Sequence, residues 1–439
     1  MLSTLSLALA LVSPPLPAAV PQDQAWKQSE LEQLTRKLQG DLEALRGVAF
    51  LRDVAVKVAT KQDLIEYMKR RMQEDEPPER LAADEVTAKL LGLFPAEKDL
   101  LAETYALLES QVGGFYDPPS NTFWLMEGMP RSLAAPILAH ELIHALDDQH
   151  YDIDSQLEAR KDNSDALQAY RFVVEGSGTA GGNRWTLDHV EQIDMSGYQD
   201  LMDDQQESLL RAPTFLWKPL LGAYMQGAAF LARSDSVLTG QMAELVPADI
   251  DAAFRDLPRS TEQVLHPEKY WDPARRDEPR AVDLSVSELP RGWKELRQDT
   301  FGELGLAQIA EAGLAPDLDM SSALAMASSL MGLAYTHPAA EGWGGDRMLL
   351  VGDGEGWWLR LVTCWDSERD AGEFYAACVY QSPRFEAAAR VLHADDSGAE
   401  VAYGAARDEV VLTIWSGVSR SARRRIDRAV KAEVAPAQR

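Results

Sequence analysis

His140, Glu141 and His144 stand together as His140-Glu141-Leu142-Ile143-His144, two imidazoles four residues apart with a carboxylate directly after the first. On a helix, positions i and i+4 lie one above the other on the same face, so both rings can address one metal ion. Glu141 then sits about 100° further round the helix, beside a water on that ion. The chemistry of such a set is hydrolysis: zinc lowers the pKa of the water, and the carboxylate takes its proton and passes it to a leaving amine. With 7 histidines in 439 residues, the pattern arises by chance about once in a hundred chains of this composition. Apolar residues (Ile137, Leu138, Ala145, Leu146) surround the motif at helical spacing, which predicts a helix with Ser132 as a candidate N-cap and Pro136 in its first turn.

A catalytic zinc takes three protein ligands and keeps a fourth position open. Two residues compete for the third place. His150 stands where the third histidine falls in the metzincin pattern, but that pattern has a glycine at the position of Asp147, where the chain must turn sharply out of the helix. If the helix continues, His150 lies about 80° away from His140 and faces elsewhere. Glu175 lies in Phe172-Val173-Val174-Glu175-Gly176-Ser177-Gly178-Thr179, a helical pattern whose apolar neighbours make an unpartnered carboxylate costly. The small residues after it let that helix pack closely against the one carrying the histidines. The missing glycine favours Glu175, with His150 as the alternative. Hydrolysis also needs a donor for the developing oxyanion. His266 in Leu265-His266-Pro267 is the first candidate, with Tyr224 and His189 behind it.

The elements that must position these residues read as follows. An apolar stripe (Leu31, Leu34, Leu38, Leu42, Leu45) predicts a helix over 26–46, and further helices are expected over 62–73, 82–91 and 96–111. Aromatic and apolar residues on either side of Asp117-Pro118-Pro119-Ser120-Asn121 predict a hairpin over 112–126, whose edge can pair with an extended peptide backbone. Residues 164–179 read as a helix ending in Gly181-Gly182, and 198–255 as largely helical. Beyond a turn-rich stretch, strands are expected at 348–351 and 357–365, a helix at 367–380, a hairpin at 401–405 and 410–415, and a last helix at 421–432. Gly342 to Arg347 reads as a turn, because it lacks the Lys-Ser/Thr ending of a phosphate loop. The expected fold class is α+β: a mostly helical zincin-like domain over 21–290, with a helical N-terminal part 21–111 and a short edge hairpin, then a smaller α+β domain over 291–439.

The run His140 to Asp152, followed by Val174-Glu175-Gly176, resembles the gluzincin-type zinc metallopeptidases. More closely, the chain resembles a group of exported bacterial proteins through Gly114-Phe115-Tyr116-Asp117-Pro118, residues 260–270 and residues 342–347, over roughly 110–380. The resemblance implies zinc, a water activated by Glu141, and Glu175 as ligand. Gluzincins often carry an Asp four residues after the ligand Glu, where this chain has Thr179. Asp147, on nearly the same helix face as His140, is then the candidate to orient a ligand histidine.

The net charge of −27 disfavours nucleic acid and anionic membrane surfaces, so Arg423-Arg424-Arg425 reads as a solvated helix face. Residues 1–20 read as a signal peptide, with a short apolar core at 5–12 and small residues near a cleavage point, so export to the periplasm or beyond is expected. No later stretch is long and apolar enough to span a bilayer. Cys364 and Cys378 can form a disulfide or remain buried thiols. These features favour an exported zinc metallopeptidase acting on a peptide or protein substrate. The alternative is a secreted binding or scaffold protein on a peptidase-like fold. Glu141 argues for the first, since a scaffold has no need of it.

Overall fold

The structure is a computed structural model and describes residues 26–111, 113–129, 131–192, 211–312 and 328–436, with Ala8–Leu9 and residues 316 and 318. The signal segment expected over 1–20 lies outside the described residues apart from Ala8–Leu9, which form the short strand β1. Helix α1 (Gln28–Arg46) buries Leu31, Leu38 and Leu42 along one stripe and ends on Gly47 at φ 73°, a left-handed cap that glycine adopts without a Cβ penalty. Strand β2 (Ala55–Ala59) and helices α2 (Lys61–Asp75), α3 (Pro78–Leu90) and α4 (Leu100–Gln111) lead to a hairpin of β3 (Gly114–Asp117) and β4 (Thr122–Met126). The sheet runs β1-β3-β4-β2, with β2 parallel to β4 and the other pairs antiparallel.

Helix α5 (Arg131–Tyr151) carries the His-Glu motif and packs on this sheet and on α1. Every residue from 137 to 148 is buried. Pro136 therefore lies inside the helix rather than in its first turn, and nothing turns at Asp147. The chain leaves the helix only at Asp152, at φ 53°, whose side chain caps α6 (Ile153–Glu158). Helix α7 (Ser164–Asp188) runs straight through Gly181-Gly182, where the pattern predicts its end. The reason is packing: a Cβ on Gly181 would stand 2.7 Å from Ile143 Cγ1, and one on Gly182 3.2 Å from His140 Cβ. Helix α8 (Thr214–Leu231) crosses α7 at an equally close point, where a Cβ on Gly176 would stand 2.3 Å from the Gly227 carbonyl carbon. These glycines are contact surfaces, not helix stops. Of the helical stretch expected over 198–255, residues 198–210 lie outside the described residues, and α9 (Val237–Met242) and α10 (Pro247–Arg255) follow.

Short helices α11 (Thr261–Leu265) and α12 (Glu268–Trp271) precede β5 (Val282–Val286), β6 (Lys294–Asp299), α13 (Gly302–Ala310), β7 (Trp343–Gly352), β8 (Trp357–Trp365), α14 (Glu368–Leu392), β9 (Gly398–Tyr403), β10 (Glu409–Ser416), α15 (Arg420–Ala429) and β11 (Val430–Val434). The five-stranded antiparallel sheet runs β6-β7-β8-β10-β9, and β5 pairs with β11. Period-two alternation sends Met348, Leu350, Leu359 and Leu361 towards α3, α13 and α14. It sends Leu349, Val351, Trp358 and Val362 towards β5, β11 and α15. The chain is thus α+β, but the two parts interlock: α3, from the N-terminal half, supplies core to the C-terminal sheet. Strand β5 also joins the C-terminal unit, ahead of the expected boundary at 290. Residues 343–347 open β7 rather than form a turn, and the end of the last expected helix becomes β11. Cys364 and Cys378 are both free and sit on opposite faces of the sheet. Among the described residues no helix is long and apolar enough to cross a membrane.

Candidate metal centre

The two histidines of α5 meet Glu175 of α7. His140 Nε2 and His144 Nε2 are 2.9 Å apart, and Glu175 Oε2 lies 3.3 Å from the first and 3.4 Å from the second. Three donor atoms on a tetrahedral zinc, with bonds near 2.0–2.2 Å, stand about 3.3–3.5 Å from one another. The observed triangle is within about half an ångström of that requirement on every edge. Burial, then the neighbouring His144, holds the His140 pKa below its ordinary value, so its ring is neutral and offers a lone pair. Burial pushes the Glu175 carboxyl up, but the two imidazoles outweigh it and hold it down to about 2. Two imidazoles and one carboxylate in a buried cluster form the donor set that zinc takes.

Glu141 is buried beside them, with its donor atom within 4.8 Å of those of both histidines. Its Oε2 accepts a hydrogen bond from the Tyr116 backbone N–H at 2.9 Å, so strand β3 fixes the carboxylate. Glu141 is therefore turned to the strand, while Glu175 completes the triangle with the two rings.

Several expected residues fall elsewhere. His150 donates from Nε2 to the Ala49 carbonyl at 2.9 Å on the outer side of α5, as an uninterrupted helix requires. Asp147 does not orient a histidine. Its Oδ1 accepts from Arg46 at 2.6 Å and its Oδ2 from Ser177 at 2.5 Å, tying α1, α5 and α7 together in the interior. His144 Nδ1 is buried and has no hydrogen-bond partner among the described residues, and the buried Thr179 hydroxyl has none either. The His144 ring is held instead by packing against α7, where a Cβ on Gly178 would stand 2.6 Å from His144 Cε1 and 2.8 Å from His140 Cε1.

His266 is not brought to the centre. Its Nε2 donates to Glu303 on α13 at 2.9 Å; burial lowers its pKa, but Glu303 more than compensates and raises it. His189 stacks on Trp185, on the last turns of α7. Tyr224 of α8 is the one of the three that the fold delivers, its ring stacked on His140 at 5.5 Å between centroids. The acidic trio Glu262, Asp277 and Asp366 already encloses a cation, since Lys269 Nζ lies 2.7, 2.9 and 3.0 Å from them. The stretch 260–270 thus fastens the helical part to the C-terminal sheet. Asp165, at the start of α7, accepts from the Thr261 N–H and hydroxyl, so the helix carrying Glu175 is anchored in that junction.

Next to the triangle is a cavity of about 190 Å³, lined by His144 and Glu175 together with leucines, aromatic rings and polar side chains such as Gln168 and Gln308. Arg171, one helical turn before Glu175, also lines it. No sequence signal marked Arg171, beyond its place four residues ahead of the ligand candidate.

Residues 289–427 match a family described as a domain of unknown function, DUF8575. The match covers the C-terminal α+β unit and stops short of the histidine cluster. No curated protein and no solved structure matches the chain.

Proposed function

We propose that the chain is an exported zinc-dependent peptidase of gluzincin type, in which His140, His144 and Glu175 hold the metal and Glu141 is the general base. The observation that carries this reading is the convergence of three donor atoms at 2.9–3.4 Å with a buried carboxylate next to them. When bound, zinc supplies Lewis acidity, activating water and polarising the carbonyl under attack. The chain's own residues do the rest. Glu141, held by the Tyr116 N–H, accepts the proton of the attacking water and delivers it to the leaving amine. Strand β3, paired along one side by β4 and on the other only by the two residues of β1, offers a backbone on which an extended peptide can lie once the segment carrying β1 is removed. Tyr224, stacked on His140, is the side chain best situated to donate to the developing oxyanion. The apolar segment at 5–12 supports export.

The test is metal analysis beside a peptide-library digest. We expect one zinc per wild-type chain, lost in His144→Ala and Glu175→Ala and kept in His150→Ala. Glu141→Gln keeps zinc and loses at least 10²-fold in hydrolysis, the usual scale for removing a general base. Wild-type protein prepared without chelator that carries no stoichiometric metal would refute the reading, as would full activity in Glu141→Gln.

A further inference from the structure

The cavity beside the candidate metal centre follows one face of α7. Glu175, Arg171 and Gln168 line it at helical spacing, and Leu108, Leu220 and Leu304 close it from α4, α8 and α13. At about 190 Å³ it is somewhat larger than the ~150 Å³ cavity that holds one benzene ring, so it takes a ring with a small substituent. Away from the candidate ligands, the polar side chains of its wall are engaged, with one exception. Thr104 donates to the Leu100 carbonyl, Tyr116 to Asp148, Ser164 to Asp299, Thr261 to Asp165 and Gln168 to the Pro219 carbonyl. Arg171 has the charges of Glu175 and Glu76 acting on it. The exception is Gln308 of α13. It lines the cavity and is only 4% exposed, and its buried Oε1 has no hydrogen-bond partner among the described residues.

An amide oxygen left without a donor beside an apolar chamber is unfavourable, and an occupant that supplies the donor removes that cost. The last torsion of glutamine is broad, so the amide can turn either its carbonyl or its NH2 to the occupant. The chemistry of the occupant follows by elimination. A carboxylate has no proton to donate, and an ammonium or guanidinium would be buried among leucines at high cost. Alkyl and phenyl side chains fill the volume but leave the amide unmet. An indole donates but offers the NH2 no acceptor. A phenol meets every requirement: its ring packs on the leucines, and its hydroxyl donates to the carbonyl or accepts from the NH2. The amide also stands away from the candidate ligands. Lys218 pairs with Glu311, one turn on from Gln308, and the adjacent Pro219 carbonyl meets Gln168. Gln168 is seven residues before Glu175, a rise of about 10 Å, so the polar tip of a long side chain belongs at that end.

We propose that the cavity is a specificity pocket for tyrosine: a substrate residue beside the scissile bond seats its ring among the leucines and its hydroxyl on the Gln308 amide. That the occupant belongs to a peptide substrate rests on the peptidase reading above; the preference for a phenol does not, and the two are tested apart. p-Cresol and toluene, the side chains of tyrosine and phenylalanine, are titrated by calorimetry into the purified full chain. A site that hydrogen-bonds a hydroxyl rejects the analogue lacking it, so p-cresol should bind at least tenfold tighter. Gln308→Met, similar in size and without the amide, should lose that preference. Equal or tighter binding of toluene to the wild type, or binding of neither, overturns the proposal with no variant needed. A p-cresol preference that survives in Gln308→Met places the hydroxyl elsewhere and overturns it too. Peptides that differ only in Tyr or Phe at one position are then digested with the wild type, which should cleave beside Tyr at least tenfold faster. Cleavage without that preference overturns the proposal. If the p-cresol preference holds, depends on Gln308, and no peptide is cleaved, the phenol pocket stands and the peptidase reading falls alone.

Discussion

Gly178 is where the candidate metal centre meets the helix packing most directly, and replacing it with alanine tests both. A Cβ there would stand 2.6 Å from His144 Cε1 and 2.8 Å from both His140 Cε1 and His144 Nε2. Carbon atoms in good contact sit at ~3.5 Å, so either the rings rotate or α7 retreats from α5 by roughly 0.7–0.9 Å. Metal–ligand distances tolerate only about 0.2 Å, so the ligand triangle cannot absorb the shift. Overpacking of this kind costs about 1–3 kcal/mol. Spent on the metal-bound state, that is a loss of about 10–100-fold in zinc affinity. The metal-free protein pays less, because its rings can turn aside and because alanine gains about 1 kcal/mol over glycine within a helix. The assay is zinc affinity by competition with a chromophoric chelator, paired with thermal melting in excess chelator. Gly40→Ala is the control: it sits exposed in α1 with nothing within 4 Å of the added Cβ, so it should raise stability slightly and leave zinc affinity unchanged. Wild-type zinc affinity in Gly178→Ala would refute the geometry on which the centre is built.

Two stability predictions follow from the frame around the site. Asp147→Ala removes the closer of the two carboxylates on the wholly buried Arg46 guanidinium and leaves Asp251 at 3.2 Å, so it should cost about 1.5–3 kcal/mol in urea unfolding, and a loss under 1 kcal/mol would show that the Arg46–Asp147 pair does not hold α1 to α5. Burial pushes the Asp165 carboxyl up to about 7, above its ordinary 3.8. An acid with a raised folded pKa stabilises fully below its unfolded pKa and loses that contribution as pH rises through the folded one. Unfolding free energy in chelator should therefore fall between about pH 4 and pH 7, by at most roughly 4 kcal/mol from this group. Asp165→Asn, which keeps the acceptor for the Thr261 N–H and hydroxyl, should flatten that slope. An equal slope in the variant would mean that other groups control the pH response.

The parts of the fold written in local pattern were legible. The stripe of α1, the turn residues of the β3–β4 hairpin and the alternation in β7 and β8 each record one face buried against one neighbour. Strand β2 went unread, because Ala55–Ala59 is short and its place is set by parallel pairing with β4, a contact far away in sequence. Glycine was the systematic trap. In isolation Gly181-Gly182 reads as a helix end, since glycine is a poor helix former and the usual residue just past a C-terminus. In the fold these residues are bare surfaces that let α7 press on Ile143 and His140, and Gly176 does the same against α8.

The site was legible to the extent that its spacing is local. His140 and His144 share a helix face by sequence distance alone, and with no glycine at Asp147 the helix runs on unbroken, so residue 150 does not return to the face of residue 140. The residues that shape the cleft were not legible, because tertiary contacts create their roles. Nothing local distinguishes Asp147 as the partner of Arg46, 101 residues away, from a carboxylate that orients a histidine. His266 looked like chemistry because a histidine in a proline-rich turn is unusual, yet Glu303 holds it at the junction of the two parts of the chain. Asp299 and Thr300, at the end of β6, accept from the backbone N–H groups of Ser164 and Asp165 at the start of α7, and Asp346 of β7 accepts from Phe301 and Gly302 where α13 begins, so the C-terminal sheet anchors the helix that carries Glu175.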